Sequence, residues 1–512
     1  MNDLPFIHQT VVHMLIDAAA KAPRREALVS AGERLTYEEY LRCVIGFAHE
    51  LSSYGVTAGR VALVMRNSVD LCIAMFAIHM AGAQATPLNP IYTEHELQPM
   101  LEDTAATVLI CDHDVRRTME KLASALHIPH CIWVGGQNGR RLTAWRQHTE
   151  LPIPQDLPEP GDLCMLQFTG GTTGRAKGAN LTHAAISTNI SQREAMAPTR
   201  MEIERMLCVM PLFHCYAIAM CLHNMVYCRG TLVILPRYQP QEVLEVMAGE
   251  RITLFGGSPT LFSGLLNYQA IENTDFSTLA LSYSGSAPLA ENLMQRWQQL
   301  TGTSILEGYG MSETGPVISF TPLHGERKLR SVGLPLPATT LQIVDLHSGR
   351  QILPTGEPGE IRLRGPQVMQ AYRNRPQETA ATLRDGWLYT GDIGLLDDDG
   401  YLFITGRKKE MIIVSGFNVF PREVEELLHQ HDQVKEAAVV GRPDDYRGEL
   451  PIAFVSLREA GAVSQEALLE YCRHHLAAYK VPAEIRLLES LPKTAVGKVD
   501  KITLAARAAA ET

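Results

Sequence analysis

Residues 166–181 read LQFTGGTTGRAKGANL. The stretch enters as a strand would, on Met165, Leu166 and Phe168, then turns small and hydroxylated through Thr169, Gly170, Gly171, Thr172, Thr173 and Gly174. Glycine tolerates positive φ and close backbone approach, so consecutive N–H groups can converge on one anion. The threonines add hydroxyl donors, and Arg175 and Lys177 add positive charge. This is the chemistry of a loop that holds a triphosphate. It is not a Walker A loop, because G-x-x-x-x-G-K-[ST] occurs nowhere in the chain.

The 512 residues around this loop suffice for more than one domain, and 46% of them are hydrophobic, so large cores are expected rather than disorder. A net charge of -10 and a pI near 6.0 argue against nucleic acid as a partner. Ten cysteines are scattered without C-x-x-C or His/Cys ligand spacing, and read as buried thiols in a reducing, cytoplasmic protein rather than a zinc site or a disulfide frame. MNDLPFIHQT lacks a basic region followed by an apolar run, so no signal peptide is expected. The apolar tracts at 71–83 and 215–227 carry His or Asn and fall short of the roughly 18 residues of a membrane span.

In chain order, 10–20 reads as an amphipathic helix and 27–34 as a hairpin. Thr36 with Glu39 forms a capping box that opens a helix. Strands at 60–65, 85–87 and 107–111 alternate with helices at 71–82 and 97–104, the pattern of α/β layers with mainly parallel sheet. A Pro-rich linker, LPIPQDLPEPGD at 151–162, separates this half from the phosphate loop. Beyond the loop, Thr182 caps a helix, and 215–227 is an apolar helix. Strands at 208–210, 253–257 and 281–285 run into turns rich in His, Gly and Ser, consistent with one cleft past their carboxyl ends. Pro421 and Ser464 open helices around paired strands at 437–440 and 451–457, a small α+β unit of roughly 100 residues.

TGGTTGRAKG resembles the phosphate loop TSGTTGxPKG of the adenylate-forming superfamily, which includes acyl-CoA synthetases, aryl-CoA ligases, luciferases and peptide-synthetase adenylation domains. Gly170 and Ala176 replace the usual Ser and Pro, as in the fatty acyl-CoA synthetase branch. Further motifs follow in family order: Ser286-Ala287-Pro288; Glu307-Gly308-Tyr309-Gly310-Met311-Ser312-Glu313; Tyr389-Thr390-Gly391-Asp392; Gly406-Arg407-Lys408-Lys409-Glu410; and Pro492-Lys493-Thr494-Ala495-Val496-Gly497-Lys498. The resemblance spans nearly the whole chain. It implies an α/β fold: a large multi-layer N-terminal domain, 1–407, that takes ATP and the acyl substrate. A small mobile α+β domain, 408–512, then carries the catalytic Lys and the route for CoA.

The same resemblance implies residue roles. Thr169 to Lys177 hold the β- and γ-phosphates. Tyr309, between its glycines, offers a face to adenine, with Ser286 to Pro288 beside it. Glu313 is the Mg²⁺ ligand, and a carboxylate is the right hard donor for that ion. Asp392 accepts both ribose hydroxyls, and Arg407 also touches ribose. Lys409 is the hinge, Gly416 with Phe417 borders the pantetheine passage, and Lys498 completes the adenylation site. His214 gates an acyl pocket whose lining candidates are Tyr216, Met220, Gly257, Gly308, Met311 and Val317, mostly apolar and without an obvious buried cation.

The expected activity is an AMP-forming ligation of a carboxylic acid to CoA through an acyl-adenylate, with ATP, Mg²⁺ and coenzyme A, on a medium- or long-chain fatty acid. An aryl, 4-coumarate-like acid, an acyl carrier protein as acceptor, and an inactive nucleotide-binding regulator are the alternatives. A homodimer, and a lysine acetyltransferase acting on Lys498, are the further partners weighed.

Overall fold

A computed structural model describes residues 4–30, 32–135, 139–169, 176–494 and 498–510. The chain parts into two compact units. One comprises Met1–Thr340 with Arg364–Gly386, and the other Leu341–Leu363 with Trp387–Thr512. The boundary read from the sequence, 407/408, falls inside the second unit.

Two mixed sheets organise the first unit. The larger is parallel through its middle, from Glu26–Ser30 across Thr231–Ile234, Arg205–Cys208, Leu254–Gly257 and Leu281–Ser284 to Ile305–Gly310. Antiparallel strands flank it on both sides, Glu33–Thr36 on one and Val317–Phe320, then Leu334–Pro335, on the other. Its core gathers Phe255, Phe262 and Phe276 around Trp297, whose indole N–H donates to Ser282 Oγ at 3.1 Å. A buried Trp thus keeps its one polar atom satisfied.

The second sheet holds the loop. Strands Arg60–Val64, Gln84–Leu88, Val108–Asp112, His130–Val134 and Leu163–Thr169 run parallel, and Leu163–Thr169 then turns back antiparallel as Lys177–Thr182. The Pro-rich segment 151–162 is therefore not a boundary. The strand it leads into pairs with Gln84–Leu88, so both sides of it share one sheet.

Local signals place the helices. Thr36 and Glu39 form the expected capping box, and Tyr37–Ser53 follows. Thr182 accepts from the Ala185 N–H to open His183–Met196, and Ser464 does the same for Gln465–His475. Two readings need correction. The strand before Pro211 is Arg205–Cys208 and stops short of Met210. The apolar helix over 215–227 is broken into Cys215–Ala217, a π-helical stretch Ile218–His223, and Asn224–Tyr227.

In the second unit, Thr340–Val344, Gly359–Arg364, Trp387–Leu396 and Leu402–Arg407 form one antiparallel sheet. A second sheet pairs Val434–Asp444 with Gly448–Leu457 and adds Ile412–Val414, Phe417–Val419 and Glu484–Leu487. Helices Pro421–His429 and Gln465–His475 cover one of its faces through Val424, Leu428, Leu468 and Cys472. No helix among the described residues is long and apolar enough to cross a membrane. Nine of the ten cysteines are buried and Cys131 is half-buried.

Candidate active site

Thr169 and Lys177 are cross-strand partners at the mouth of the Gly/Thr loop. Gly170, Gly171, Thr172, Thr173, Gly174 and Arg175 lie outside the described residues. The Lys177 ammonium sits 5.2 Å from the centroid of the Tyr372 ring. Tyr372 is held by a short strand, Ala371–Tyr372, antiparallel to Lys177–Thr182, with Tyr372 opposite Ala179. Its hydroxyl donates to Glu313 Oε1 at 2.6 Å. Burial first, and the Glu313 charge second, push this phenol far above its ordinary pKa, so it stays a donor.

Glu313 lies on a 3₁₀ turn, Ser312–Thr314, only 5% exposed. Its carbonyl accepts from the Met369 N–H at 2.8 Å. One continuous link thus runs from the loop mouth through Lys177 and Tyr372 to Glu313. A buried carboxylate fixed by a neutral donor, a cation beyond it, is a donor set that suits a hard divalent ion bridging phosphates.

His214 arrives beside this turn because its own loop is clamped twice. Asn67 Oδ1 accepts from the Leu212 N–H at 2.7 Å, and Gln167 Nε2 donates to the Phe213 carbonyl at 3.1 Å. His214 Nδ1 accepts from the Tyr216 N–H at 3.2 Å, fixing the half-buried ring. The next residue, Cys215, reaches Ser312 Oγ at 3.5 Å, joining the His214 loop to the Glu313 turn. Tyr216 donates to the Tyr283 carbonyl at 3.3 Å across the ends of the parallel strands. A side chain at Gly256 or Gly285 would meet Tyr216, at 3.7 Å and 3.3 Å.

The glycines need a different reading from the one the motif suggests. A Cβ on Gly310 would stand 2.0 Å from the Pro316 carbonyl oxygen, and one on Gly308 would stand 2.7 Å from the Phe320 ring. Both are small because the hairpin Ile305–Gly310 with Val317–Phe320 closes on itself, with Tyr309 between them half-buried. Gly257 turns toward Phe262 in the core, so Gly256, not Gly257, faces Tyr216. Met220 and Val317 are buried, while Glu307 is buried and Met311 half-buried on either side of the turn. Ser286, Ala287 and Pro288 are exposed just past Leu281–Ser284.

The second unit holds its own share. Asp392 and Arg407 face each other across two strands, with Arg407 Nε 2.9 Å from Asp392 Oδ1. The pair leaves Asp392 buried and Arg407 exposed. Lys408 pairs with Glu360 at 2.8 Å, while Lys409 is exposed in the turn that follows. Ser415 and Gly416 link two strands with φ of 51° and 84°, the signature of a type I′ turn that favours Gly at its second position. Phe417, 56% exposed, stacks on Tyr479 with centroids 4.8 Å apart. Lys498 is exposed, and its backbone exchanges hydrogen bonds with Thr494: its N–H to Thr494 Oγ1 at 3.2 Å and its carbonyl from the Thr494 N–H at 2.7 Å. Ala495, Val496 and Gly497 lie outside the described residues.

Sequence reasoning missed Tyr372, Asn67 and Gln167, the residues that fix the site rather than define its motifs. It also missed a spatial cluster. His79, Cys164 and His183 are buried together, with Cys164 Sγ 3.7 Å from the His79 ring nitrogens. Burial keeps both imidazoles neutral, His183 down to about 4.

Residues 15–373 match the AMP-binding enzyme family, and residues 423–498 match the AMP-binding enzyme C-terminal domain. The chain is 36% identical to a long-chain-fatty-acid–CoA ligase of Bacillus subtilis, over 97% of this chain and 94% of that protein. It is 35% identical to a feruloyl-CoA synthase of an Amycolatopsis species, over 94% and 96%. The ATP-bound crystal structure of MatB from Rhodopseudomonas palustris superposes with a TM-score of 0.91 at 29% identity, covering 98% of this chain and 99% of that one.

Proposed function

Since the chain belongs to the AMP-binding enzyme family, in its AMP-forming acyl-CoA ligase branch, we propose that it activates a medium- or long-chain fatty acid with MgATP and passes the acyl group to coenzyme A. The observation that carries this reading is the linked set Lys177, Tyr372 and Glu313 at the mouth of the phosphate loop.

In the first step the substrate carboxylate attacks the α-phosphorus, the bond to the β-phosphate bridging oxygen breaks, and acyl-AMP and pyrophosphate form. Thr169 and Lys177 bind the departing phosphates, and Tyr372 holds the Glu313 carboxylate in place. Glu313 would hold Mg²⁺, whose contribution is charge neutralisation of the phosphates. Asp392, positioned by Arg407, accepts the ribose hydroxyls. Lys498 brings positive charge between two anionic reactants that would otherwise repel. In the second step the CoA thiol attacks the acyl carbonyl, loses its proton and expels AMP. Lys498 and Gly416 sit on the same small domain, and alternation about Lys409 lets each serve its own step. His214, Tyr216, Met220 and Val317 line the acyl side.

An aryl acid is the second reading, favoured by the likeness to a feruloyl-CoA synthase. Intact Lys498, Glu313 and Asp392 weigh against a regulator without activity. Ten scattered cysteines, nine of them buried, fit a reducing cytoplasm.

A CoA-dependent AMP-release screen across fatty, aryl and amino acids tests the reading. Each buried methylene is worth about 0.8 kcal/mol, so kcat/KM should rise roughly fourfold per added carbon until the pocket ends. A flat profile over fatty acids, with benzoate or coumarate far better, moves the assignment to an aryl ligase.

Lys498 also suits control by acetylation, because it is an exposed amine whose charge serves only adenylation. Acetylated protein should lose acyl-AMP formation with an unchanged melting curve. Full pyrophosphate release from a Lys498-acetylated sample rules the switch out.

A further inference from the structure

Lys498 stands on a short loop that runs straight into the last helix of the second unit. Lys493 and Val499 bridge the two arms of the loop, and the Asp500 N–H donates to the Pro492 carbonyl at 2.8 Å. Asp500 then caps the helix Lys501–Ala510. Its carboxylate accepts from the Ile502 and Thr503 N–H groups, both at 3.1 Å, and from the Thr503 hydroxyl at 2.7 Å. A capped start directly after the loop fixes the direction in which the first helical residue leaves. Leu504 and Ala508 seat the helix on Val440, Ile452 and Phe454, together with Leu491 from the foot of the loop.

That first residue is Lys501, and its ammonium lies 2.8 Å from Glu410 Oε2 and 2.9 Å from Glu425 Oε1. Three stretches of chain meet at this one cation. Glu410 follows Lys409, and its N–H donates to the Arg407 carbonyl at 3.0 Å, so it belongs to the turn assigned above as the hinge. Glu425 lies on Pro421–His429, and its Oε1 also accepts from the Val439 N–H at 2.7 Å. The third stretch is the Lys498 loop itself. Lys501 and Glu410 are 91 residues apart in the chain. The three side chains are at most 27% exposed, so solvent and salt screen these pairs less than an ion pair on the open surface. Burial works against the ammonium charge, but the two carboxylates outweigh it and hold the Lys501 pKa above its ordinary value.

The two functional faces of the small domain are therefore joined to the hinge in different ways. Gly416 follows it within one hairpin, Ile412–Val414 with Phe417–Val419, so the backbone alone carries a rotation to it. Lys498 is remote in sequence and meets the hinge turn across the Lys501 bridge. We propose that Lys501 is a positioning residue for adenylation: by clamping Glu410 and Glu425 it locks the Lys498 loop to the hinge, so that rotation delivers Lys498 to the reacting groups in register. This rests on the reading of Lys498 as the adenylation lysine, and it adds the residue that aims it.

The test measures both half-reactions on variants of the whole chain. Lys501→Met should lower kcat for acyl-AMP formation, read as pyrophosphate release, by roughly tenfold to a hundredfold, the scale of a misplacement of about 1 Å, with KM for ATP little changed. Thioester formation from supplied acyl-AMP and CoA should stay near the wild-type rate. Lys501→Arg, whose guanidinium can span two carboxylates, should recover most of the lost rate. Glu410→Gln keeps the pair between Lys501 and Glu425 and should show a milder form of the same defect. It carries the test if Lys501→Met fails to fold by circular dichroism and thermal melting. A double-mutant cycle separates aiming from plain support: in Lys498→Ala protein, adding Lys501→Met should cost adenylation nothing further, because no ammonium is left to aim. Equal loss of both half-reactions, an unchanged adenylation rate in the folded variants, or a full additional loss in the Lys498→Ala background overturns the inference and leaves the ligase intact. Full adenylation by Lys498→Ala alone sinks the reading of Lys498, and the inference with it.

Discussion

Lys498→Ala should lower acyl-AMP formation by roughly 10²–10³, about 3–4 kcal/mol, the scale of one lost preorganised donor in a charged transition state. The side chain is exposed, on a loop whose backbone is tied to Thr494 through main-chain groups that alanine keeps. The melting temperature should therefore hold. Supplied with ready-made acyl-AMP and CoA, the variant should form thioester at close to the normal rate, because the charge it lacks bridges reactants that are no longer separate. Pyrophosphate release and thioester formation, measured on one preparation, check both halves.

Gly416→Leu should show the reverse pattern. Its tip position has open space on the side-chain face, where an added Cβ meets no protein atom within 4 Å. With φ at +84°, any L-residue is strained by about 1–2 kcal/mol, a local cost on an exposed hairpin whose unit keeps the core around Val424, Leu428 and Leu468. Pyrophosphate release should persist, and thioester formation should fall by roughly 10²-fold if the leucine fills the pantetheine passage, a misplacement penalty of the usual size. Lys409→Pro should behave like Gly416→Leu for a different reason. Proline fixes φ at a turn where the neighbouring Lys408 side chain is pinned to Glu360, so rotation after adenylation is hindered. Stopped-flow thioester formation from bound acyl-AMP separates these two variants from any that simply bind ATP less well.

Most of the fold could be read from local signals because its elements carry them. Thr36 with Glu39, Thr182 and Ser464 each act as the caps their positions suggest. Asp392 and Arg407 fall in separate motifs that the resemblance assigns to the ribose, and adjacent antiparallel strands bring them together. What stayed hidden depends on long-range pairing. Tyr372 meets Glu313 across 59 residues because a two-residue strand adds to the edge of the loop's own hairpin, and two residues carry no periodic signal. Gln167 reaches the loop before His214 across 46 residues by one side-chain bond. The helix Glu94–Thr104 starts earlier than its apolar pattern, on a capping box of Thr93 and Glu96 that polar composition obscured. At Gly308 and Gly310 the motif pointed to ligand approach, while the contacts a Cβ would make are with Phe320 and Pro316. The π-helical turn left no trace in sequence spacing, and the buried Arg193 was masked because its partners come from Glu194, Asn224 and Tyr283, on three different elements.

Two steps served by different faces of one small domain is the central claim, and both half-reactions measured side by side on Lys498→Ala and Gly416→Leu test it most directly. Opposite patterns are expected: adenylation lost and thioester formation kept in the first, adenylation kept and thioester formation lost in the second, with both proteins folded by circular dichroism. Equal loss of both steps in the two folded variants would mean a single static site and contradict the alternation.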